Sequence, residues 1–482
     1  MTQGKVHSIV TSSSQSTDWS LPAAGQILNL HSTPTLQRQS ERESEVRSYP
    51  RRLPLAINSA LGCRVKDEQG QVYLDCLAGA GALPLGHNHP EVNTAIIEAL
   101  EGLSPFQTLD ITSPAKDAFM GELLATLPEA FSCEAKIQFC GPSGADAVEA
   151  AIKLAKTVTG RSSVISFQGG YHGMTHGALS LTGNLGAKNP INGLMADVHF
   201  MPYPYPFRSQ FGDRNSDNAR QALHYLRSQL VDPEGGIKRP AAIIVEPIQG
   251  EGGVIPAPAE WLQGLRKLCD ELEILLIMDE IQTGFGRSGR LFAFEHADIQ
   301  PDVVLMSKAL GGGLPLSVIA FNKKFDAWSP GGHAGTFRGN QLAMVSGAKT
   351  MQVIKRDKLY KHASELGGQL RDELLTLQQK HARIGQVRSK GLMLGLELVC
   401  GEGSLDSLGN PLADSLYARR VQHEALRRGL ICELGGRHGA VVRLLPPLIL
   451  NREEADFIIR ILDEALTVAA QHSDNENSVV NG

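Results

Sequence analysis

The sequence lacks the features of a membrane, secreted or nucleic-acid-binding protein. It has no run of about 18 apolar residues, and its N-terminus is rich in Ser, Thr and Gln where a secretory signal would have an apolar core. The seven cysteines are odd in number and form neither a CxxC pair nor a zinc-type spacing with histidine. A net charge of −5 without a basic block disfavours nucleic acid as a partner. We therefore predict a cytoplasmic protein with free thiols that binds small molecules.

The composition is that of an ordinary globular protein. Of the 482 residues, 42% are apolar and 20% are charged, and the 50 glycines and 25 prolines follow no collagen-like repeat. This balance excludes a coiled coil and a wholly disordered chain. Because domains usually contain roughly 100–200 residues, the length predicts two or three compact units.

Apolar patterning divides the chain into a large central domain and a smaller domain built from both chain ends. Residues 1–38 hold too few periodic apolar positions to bury a face. A charged helix over Gln39–Arg47 is predicted to follow. The predicted divisions are a flexible tail over 1–38, the first part of the small domain over 39–105, the large domain over 106–345, the rest of the small domain over 346–472 and a polar tail over 473–482.

Short β-rich apolar runs alternate with helical segments through the large domain, which is typical of an α/β fold with a mostly parallel sheet. Their nearly continuous apolar character predicts burial on both faces. Ligands of such sheets bind at the carboxyl ends of the strands, and here each end is followed by a polar or glycine-rich segment. The predicted strands are Lys136–Phe139, Val164–Phe167, Ala242–Val245, Ile274–Met278 and Val303–Met306.

Lys308 follows the last of these strands and precedes the glycine run Gly311–Gly313. Partial burial there would desolvate the amine and lower its pKa, which makes a lysine nucleophilic enough to form a Schiff base with a carbonyl. An isolated lysine at a strand end more often extends its ammonium group into solvent. The functional interpretation of Lys308 therefore depends on its neighbours.

Asp279 directly follows the run Ile274–Met278, where a buried carboxylate needs a cation or a hydrogen-bond donor. The protonated ring nitrogen of pyridoxal phosphate is such a cation, and a strand-end Asp beside a Schiff-base lysine keeps that nitrogen protonated. Considered alone, Asp279 also suits the N-cap of a helix over 280–283. Its combination with Lys308 favours the cofactor.

The segment Gly141-Pro142-Ser143-Gly144-Ala145 joins a predicted strand to a predicted helix over Ala147–Thr157. The free amides of the helix N-terminus and the Ser143 hydroxyl can receive a phosphate, although an ordinary helix cap fits the segment equally well. A P-loop motif is absent, and no GxGxxG follows the first strand of the domain. These absences disfavour a nucleotide triphosphate site and weaken the case for a nicotinamide dehydrogenase.

Together these residues resemble the class III aminotransferases, the fold-type I pyridoxal phosphate enzymes that include the ornithine, 4-aminobutyrate and acetylornithine aminotransferases. The likeness spans residues 50–470, and its most specific part is the run Ile277–Arg287 followed by Lys308. The resemblance implies an α/β fold: a large domain with a mostly parallel, seven-stranded sheet, and a smaller α+β domain from both chain ends.

The resemblance also implies a role for each residue around the cofactor. Lys308 would form the Schiff base with pyridoxal phosphate and carry protons, while Asp279 would pair with the ring nitrogen. Gln282 would contact the phenolic oxygen of the cofactor, and the pair Tyr171-His172 would supply the aromatic side chain that stacks on its ring. The phosphate would be held by Ser143, Gly144 and Ala145.

A homodimer with shared active sites is implied by the motif His333-Ala334-Gly335-Thr336-Phe337. In the family, the threonine at this position reaches the phosphate of the neighbouring subunit. The resemblance therefore assigns Thr336 to the active site of the partner.

Glu251 and Arg443 match the positions at which the family keeps a switching pair. An arginine fork binds the α-carboxylate of glutamate or 2-oxoglutarate, and a carboxylate neutralises it when an ω-amine without a nearby carboxylate enters. One site can then serve two substrates. A purely structural ion pair is the alternative for these two residues.

The amino donor is narrowed by a departure from the family pattern at Met174. The ornithine and 4-aminobutyrate enzymes typically carry at this position an arginine that contacts a distal carboxylate. The segment Tyr171-His172-Gly173-Met174-Thr175 looks most like diaminobutyrate–2-oxoglutarate transaminases, which interconvert L-2,4-diaminobutyrate and aspartate 4-semialdehyde. The extension over 42–54 is similar to the longer enzymes of that group, which are associated with siderophore and 1,3-diaminopropane biosynthesis.

Several alternatives remain open at this point. Within the family, the donor can be ornithine, acetylornithine or 4-aminobutyrate, and glutamate-1-semialdehyde aminomutase has a similar His-Ala-Gly-Thr-Phe motif. A noncatalytic cofactor-binding relative is the alternative outside enzymes, and the joint presence of Lys308, Asp279 and Gln282 argues against it. The pair His87-x-His89 lies directly before Pro90 without a carboxylate or cysteine at ligand spacing, so no metal is predicted.

Overall fold

The computed structural model of the chain describes residues 18–212, 214, 217–401 and 403–480, with side chains as far as residue 471. The helices are α1 (Pro34–Arg42), α2 (Tyr49–Arg52), α3 (Ala78–Gly81), α4 (Pro90–Glu101), α5 (Pro114–Leu124), α6 (Glu129–Ser132), α7 (Gly144–Thr159), α8 (His176–Leu181), α9 (Leu185–Lys188), α10 (Asn218–Val231), α11 (Ala259–Leu272), α12 (Gln341–Arg356), α13 (Leu359–Lys380), α14 (Ser415–Leu426) and α15 (Arg452–Val480).

The strands alternate with these helices along the chain. They are β1 (Ile57–Leu61), β2 (Arg64–Asp67), β3 (Val72–Asp75), β4 (Ala135–Phe139), β5 (Val164–Phe167), β6 (Val198–Met201), β7 (Ala242–Val245), β8 (Ile248–Gln249), β9 (Ile255–Pro256), β10 (Leu275–Asp279), β11 (Val303–Met306), β12 (Val318–Asn322), β13 (Ile384–Lys390), β14 (Met393–Leu398), β15 (Leu430–Ile431), β16 (Glu433–Gly435) and β17 (Val441–Leu444).

The large sheet, as far as the described residues show it, contains seven strands in the order β4-β12-β11-β10-β7-β5-β6. The pairs β6–β5, β5–β7, β7–β10 and β10–β11 are parallel, whereas β12 runs antiparallel to both β11 and β4. The predicted seven-stranded, mostly parallel sheet is confirmed. Strands β6 and β12 were absent from the predicted set, and β10 begins and ends one residue later than predicted, so Asp279 is its last residue.

Both faces of this sheet are buried because side chains alternate along each strand. In β10, Leu276 and Met278 pack into one core cluster, whereas Leu275 and Ile277 pack into the other. Helix α7 covers the second cluster, while α11 and α12 contribute buried side chains to the first. The continuous apolar character of the strands thus indicated their position correctly.

The smaller domain draws its strands from both ends of the chain, as predicted. Strands β1, β2 and β3 form an antiparallel meander, and β15 from the C-terminal half adds to β3 in parallel. A second antiparallel sheet has the order β13-β14-β17-β16. The residue limits 105/106 and 345/346 between the two domains stay predictions.

The N-terminal segment departs from the sequence-based prediction. The helix expected over Gln39–Arg47 is instead α1, because Thr33 caps Pro34–Arg42 by accepting a hydrogen bond from the Leu36 amide, and proline suits the first helical position. The predicted flexible tail is wrong for residues 18–38, since Leu28 is buried and its amide donates to the Arg427 carbonyl. Residues 1–17 of that tail lie outside the described residues.

The C-terminal helix α15 continues past the predicted end of its amphipathic part. Its backbone is helical to Val480, so the helix extends into the residues predicted as a polar tail. Residues 481 and 482 lie outside the described residues. None of the described helices has both the length and the apolar character that crossing a membrane would require.

Candidate active site

The ends of strands β5, β7 and β10 meet at one edge of the large sheet. The backbone amide of Tyr171, after β5, donates to the carboxylate of Glu246, after β7, at 2.8 Å. The Gly250 amide donates to the other carboxylate oxygen of Glu246 at 3.0 Å. The segments after β5 and β7 are thus in contact, and the cleft predicted at the strand ends stays a prediction.

Asp279, the last residue of β10, is fixed by contacts to both of its oxygens. One oxygen lies 2.8 Å from Nδ1 of His172, and the other accepts the amide of Ile281 at 3.1 Å. Asp279 and His172 are both buried. Since a carboxylate only accepts hydrogen bonds, Nδ1 of His172 carries the proton in this pair.

Lys308 follows β11 in an unusual backbone conformation. Its φ is 43°, in the left-handed region that non-glycine residues rarely adopt, and it opens a short 3₁₀ turn over 308–311. Such strain clusters at functional sites. Burial of the ammonium group lowers the pKa of Lys308, although the charges of Glu251 and Asp279 oppose this effect. The amine is therefore more available as a nucleophile and a proton acceptor than a surface lysine.

The carboxylate of Glu246 is buried, and both of its oxygens accept backbone amides. Burial raises the pKa of Glu246 to about 7; His172 works against this rise and the charge of Asp279 adds to it. The sequence analysis assigned no role to Glu246. The feature that could have identified it is its position directly after the apolar strand β7 and before Pro247.

Arg443, on β17, is completely buried between two carboxylates. Its Nη2 atom lies 2.8 Å from Glu251 and 2.6 Å from Glu433. The second oxygen of Glu433 accepts the hydroxyl of Tyr49 at 2.9 Å. Burial disfavours the charged form of the Arg443 guanidinium, but the two carboxylates outweigh this effect and raise its pKa. Burial likewise disfavours the charged form of Glu251, but the positive charges of Arg443 and Lys308 outweigh it and lower the pKa of Glu251.

The predicted pair of Glu251 and Arg443 is thus in contact, and two partners escaped the sequence analysis. Glu433 lies opposite Arg443 in the register of β16 and β17, so their side chains share one face of the sheet. Only the strand pairing reveals this relation. Nε and Nη1 of Arg443 are buried and have no hydrogen-bond partner among the described residues.

The loop predicted to hold a phosphate packs against the other site segments. Ser143 caps α7 by accepting the Asp146 amide at 3.3 Å. A Cβ on Gly144 would lie 2.9 Å from Ile281, and one on Gly173 would lie 2.6 Å from Ala145, so glycine permits both close approaches. The segments 143–145, 171–173 and 279–282 therefore converge.

These residues fit the pyridoxal phosphate that the sequence implied. The amide oxygen of Gln282 is buried without a partner, next to Gly250, although the Gln282 amide nitrogen donates to the Ala80 carbonyl at 3.3 Å. Unpaired buried polar atoms are uncommon and point to a missing ligand. The donor set offers an amine at Lys308, a fixed carboxylate at Asp279 and a helix N-terminus at Ser143, which suit an aldehyde, a ring nitrogen and a phosphate.

Comparison with known proteins agrees with this geometry. Residues 47–466 match the family described as aminotransferase class-III. The chain belongs to the class III aminotransferases. The cofactor of this family is pyridoxal phosphate, and its members have the fold called fold type I.

Individual relatives cover nearly the whole aminotransferase. A diaminobutyrate–2-oxoglutarate aminotransferase of Rhizobium meliloti is 54% identical over 87% of this chain and 90% of its own. A protein of the same name from Haemophilus influenzae is 49% identical over 90% and 95%. An amine transaminase of an uncultivated Pseudomonas species, crystallised with pyridoxal phosphate bound, is 30% identical with a TM-score of 0.79 over 89% of this chain and 98% of its own.

Two predicted positions of the aminotransferase lie at the surface of the single chain. Thr336 is exposed at the start of a short 3₁₀ turn, and Met174 is 57% exposed. The Thr336 loop lies beside α7 of its own chain, because Nε2 of His333 is 3.0 Å from the Asp146 carboxylate. The assignment of Thr336 to a partner's site stays a prediction.

Proposed function

We propose that this aminotransferase transfers the ω-amino group of L-2,4-diaminobutyrate to 2-oxoglutarate, which yields aspartate 4-semialdehyde and glutamate. The names of the Rhizobium meliloti and Haemophilus influenzae relatives support the donor and the acceptor. The observation that carries the proposal in the structure is Arg443, which is paired with Glu251 and still has unpartnered N–H groups. This arrangement suits a site that receives an α-carboxylate in one half of the reaction only.

The exchange at Arg443 explains how one site serves both substrates. When 2-oxoglutarate enters, its α-carboxylate binds the guanidinium as a fork and Glu251 withdraws. When the ω-amine of the donor enters, Glu251 returns and neutralises the arginine. Glu251 is suited to move because its side chain is 31% exposed, whereas that of Arg443 is fully buried.

Lys308 carries out the proton transfers in this proposal. Pyridoxal phosphate, when bound, supplies the aldehyde and the electron sink of the reaction. The desolvated amine of Lys308 takes a proton from C4 of the donor and, in the second half, returns one to C2 of the acceptor. Asp279, held by His172, would place its carboxylate beside the ring nitrogen.

A homodimer with Thr336 shared across the interface is part of the proposal. The segment 103–111 exposes large apolar side chains, and Phe337 is exposed as well. Hydrogen bonds join this segment to residues 339–341, such as that from the Gln341 amide to the Phe106 carbonyl. Exposed apolar surface is typical of protein interfaces. Sedimentation should show a dimer, and a monomer with full activity would contradict the shared site.

We also place the enzyme in the cytoplasm, since all seven cysteines lie within the described residues and are free thiols. Service in siderophore or 1,3-diaminopropane biosynthesis stays a prediction from the sequence.

The absorbance of the bound cofactor tests cofactor and substrates together. The purified enzyme with pyridoxal phosphate is mixed with L-2,4-diaminobutyrate and then with 2-oxoglutarate, in parallel with ornithine, acetylornithine and 4-aminobutyrate. We expect diaminobutyrate to bleach the visible band fastest and 2-oxoglutarate to restore it. Faster bleaching by another amine would overturn the assignment of diaminobutyrate as the donor. Turnover of glutamate-1-semialdehyde without an added oxo acid would indicate a glutamate-1-semialdehyde aminomutase.

A further inference from the structure

The cluster around Arg443 contains more negative than positive charge. Glu251 and Glu433 both contact the Nη2 atom, so two carboxylates share one guanidinium. The hydroxyl of Tyr49 adds no charge, because burial and the neighbouring Glu433 raise its pKa. An uncompensated charge in a largely buried cluster is costly, so an additional cation would stabilise this one.

The neighbouring lysine cannot supply that cation throughout the reaction. Among the described residues, Lys308 is the positive group besides Arg443 whose charge clearly lowers the pKa of Glu251, but its amine is used in the chemistry and burial lowers its own pKa. The remaining candidate is the substrate. L-2,4-diaminobutyrate carries a second ammonium group, on its α-carbon, whereas 4-aminobutyrate is the same chain without it.

Glu433 differs from Glu251 in how firmly it is held. Both oxygens of Glu433 are engaged, one by Arg443 and one by Tyr49, and its side chain is 8% exposed. The carboxylate therefore keeps its position when Glu251 withdraws from Arg443. Tyr49 is 45% exposed, so this end of the cluster borders solvent.

We propose that Glu433 determines donor specificity by binding the α-ammonium group of a diamino acid, with Tyr49 holding the carboxylate in place. This inference rests on the proposed function and extends it to the second nitrogen of the donor. A carboxylate that accepts one more hydrogen bond from an ammonium group keeps its contacts to Arg443 and Tyr49, since its oxygens together offer about four lone-pair positions. A donor without the α-ammonium leaves the cluster with its excess negative charge.

The test compares two donors that differ only at this group. In the holoenzyme, Glu433→Gln keeps the shape and loses the charge, and kcat/KM is measured for L-2,4-diaminobutyrate and for 4-aminobutyrate. We expect kcat/KM for diaminobutyrate, divided by kcat/KM for 4-aminobutyrate, to fall by about tenfold or more, because one charged hydrogen bond to the donor is lost. The KM for 2-oxoglutarate should stay equal or decrease, because Arg443 loses a competing carboxylate.

Two further variants keep the test decisive. Glu424→Gln removes a buried carboxylate that pairs with Arg428 outside the site, and it should leave the donor ratio unchanged. Tyr49→Phe removes only the hydroxyl and should lower the ratio by a smaller factor, which decides the question if Glu433→Gln does not fold. An unchanged ratio in active variants overturns the inference and leaves the proposed function standing. Failure of the wild type to use diaminobutyrate overturns the proposed function itself.

Discussion

Nδ1 of His172 lies 2.8 Å from the carboxylate of Asp279, although the two residues are 107 positions apart in the chain. His172 follows strand β5 and Asp279 ends strand β10, so the contact exists only because both strand ends reach the same edge of the sheet. The amide of His172 is itself fixed by the Thr182 hydroxyl at 3.0 Å. The histidine thus holds the carboxylate that is expected to meet the cofactor ring.

This contact predicts a specific loss when the imidazole is removed. His172→Ala leaves one buried oxygen of Asp279 without its donor, which should weaken cofactor binding by about 1–3 kcal/mol. His172→Gln can still donate and should lose less. Equilibrium dialysis with pyridoxal phosphate measures both, and equal losses in the two variants would contradict a role for the hydrogen bond.

Replacement of Lys308 should separate catalysis from cofactor binding. Lys308→Ala removes the nucleophile and the proton carrier, so turnover should fall by at least about 10²–10⁴-fold while pyridoxal phosphate still binds. Lys267→Ala, at an exposed position on α11, is the matched control. Rates near those of the wild type would refute the assignment of Lys308.

A single methyl group at Gly250 should disturb the cofactor site. A Cβ at this position would lie 1.8 Å from the amide oxygen of Gln282, so Gly250→Ala must displace that side chain. We expect cofactor binding to weaken by about 0.5–1.5 kcal/mol, the usual net value of the hydrogen bond that the displaced Gln282 would lose. Gly121→Ala on α5 has no atom within 4 Å of the added Cβ and should not change cofactor affinity. Normal affinity of the Gly250 variant would show that Gln282 does not contact the cofactor.

An arginine at position 174 should restore use of a distal carboxylate. Met174→Arg places a guanidinium where the related ornithine and 4-aminobutyrate enzymes typically have one. Because Met174 is 57% exposed, the gain should be only about 0.5–1 kcal/mol, or roughly two- to fivefold in kcat/KM for 4-aminobutyrate. Met174→Leu should leave this value unchanged. A decrease in the arginine variant would show that position 174 lies away from the substrate.

The buried carboxyl group of Glu280 should make stability depend on pH. Burial raises the pKa of Glu280 to about 7 from an ordinary value of 4.5. A raised pKa in the folded state stabilises the protein fully below the unfolded-state pKa, and this contribution is lost as the pH rises through the folded-state value. Up to about 3 kcal/mol should therefore disappear between about pH 5 and pH 8.

Glu280→Gln isolates this contribution, because glutamine can still accept the Phe294 amide and donate to the Thr283 hydroxyl, two of the partners of the native carboxyl group. The unfolding midpoint of the wild type should fall relative to that of the variant as the pH is raised. Parallel curves over this range would mean that Glu280 ionises normally.

Local patterns were sufficient for the centre of the fold. Continuous apolar runs marked five strands of the large sheet because parallel strands are buried on both faces. The pattern was less informative for β6, which is only half-buried over most of its length and contains His199, and for the helix that was predicted over Gln39–Arg47. At that helix the cap at Thr33 and the following proline decided the boundary, rather than the charged residues.

The sequence by itself determined which side chains lie at the strand ends, since Asp279 and Lys308 each come after a recognisable apolar run. Sequence also paired Glu251 with Arg443 through family resemblance. Tertiary structure alone decided that His172 holds Asp279 and that Glu433 and Tyr49 complete the Arg443 cluster. These contacts join residues from distant strands and from the two ends of the chain, and strand register and domain packing, which have no local sequence signature, bring them together.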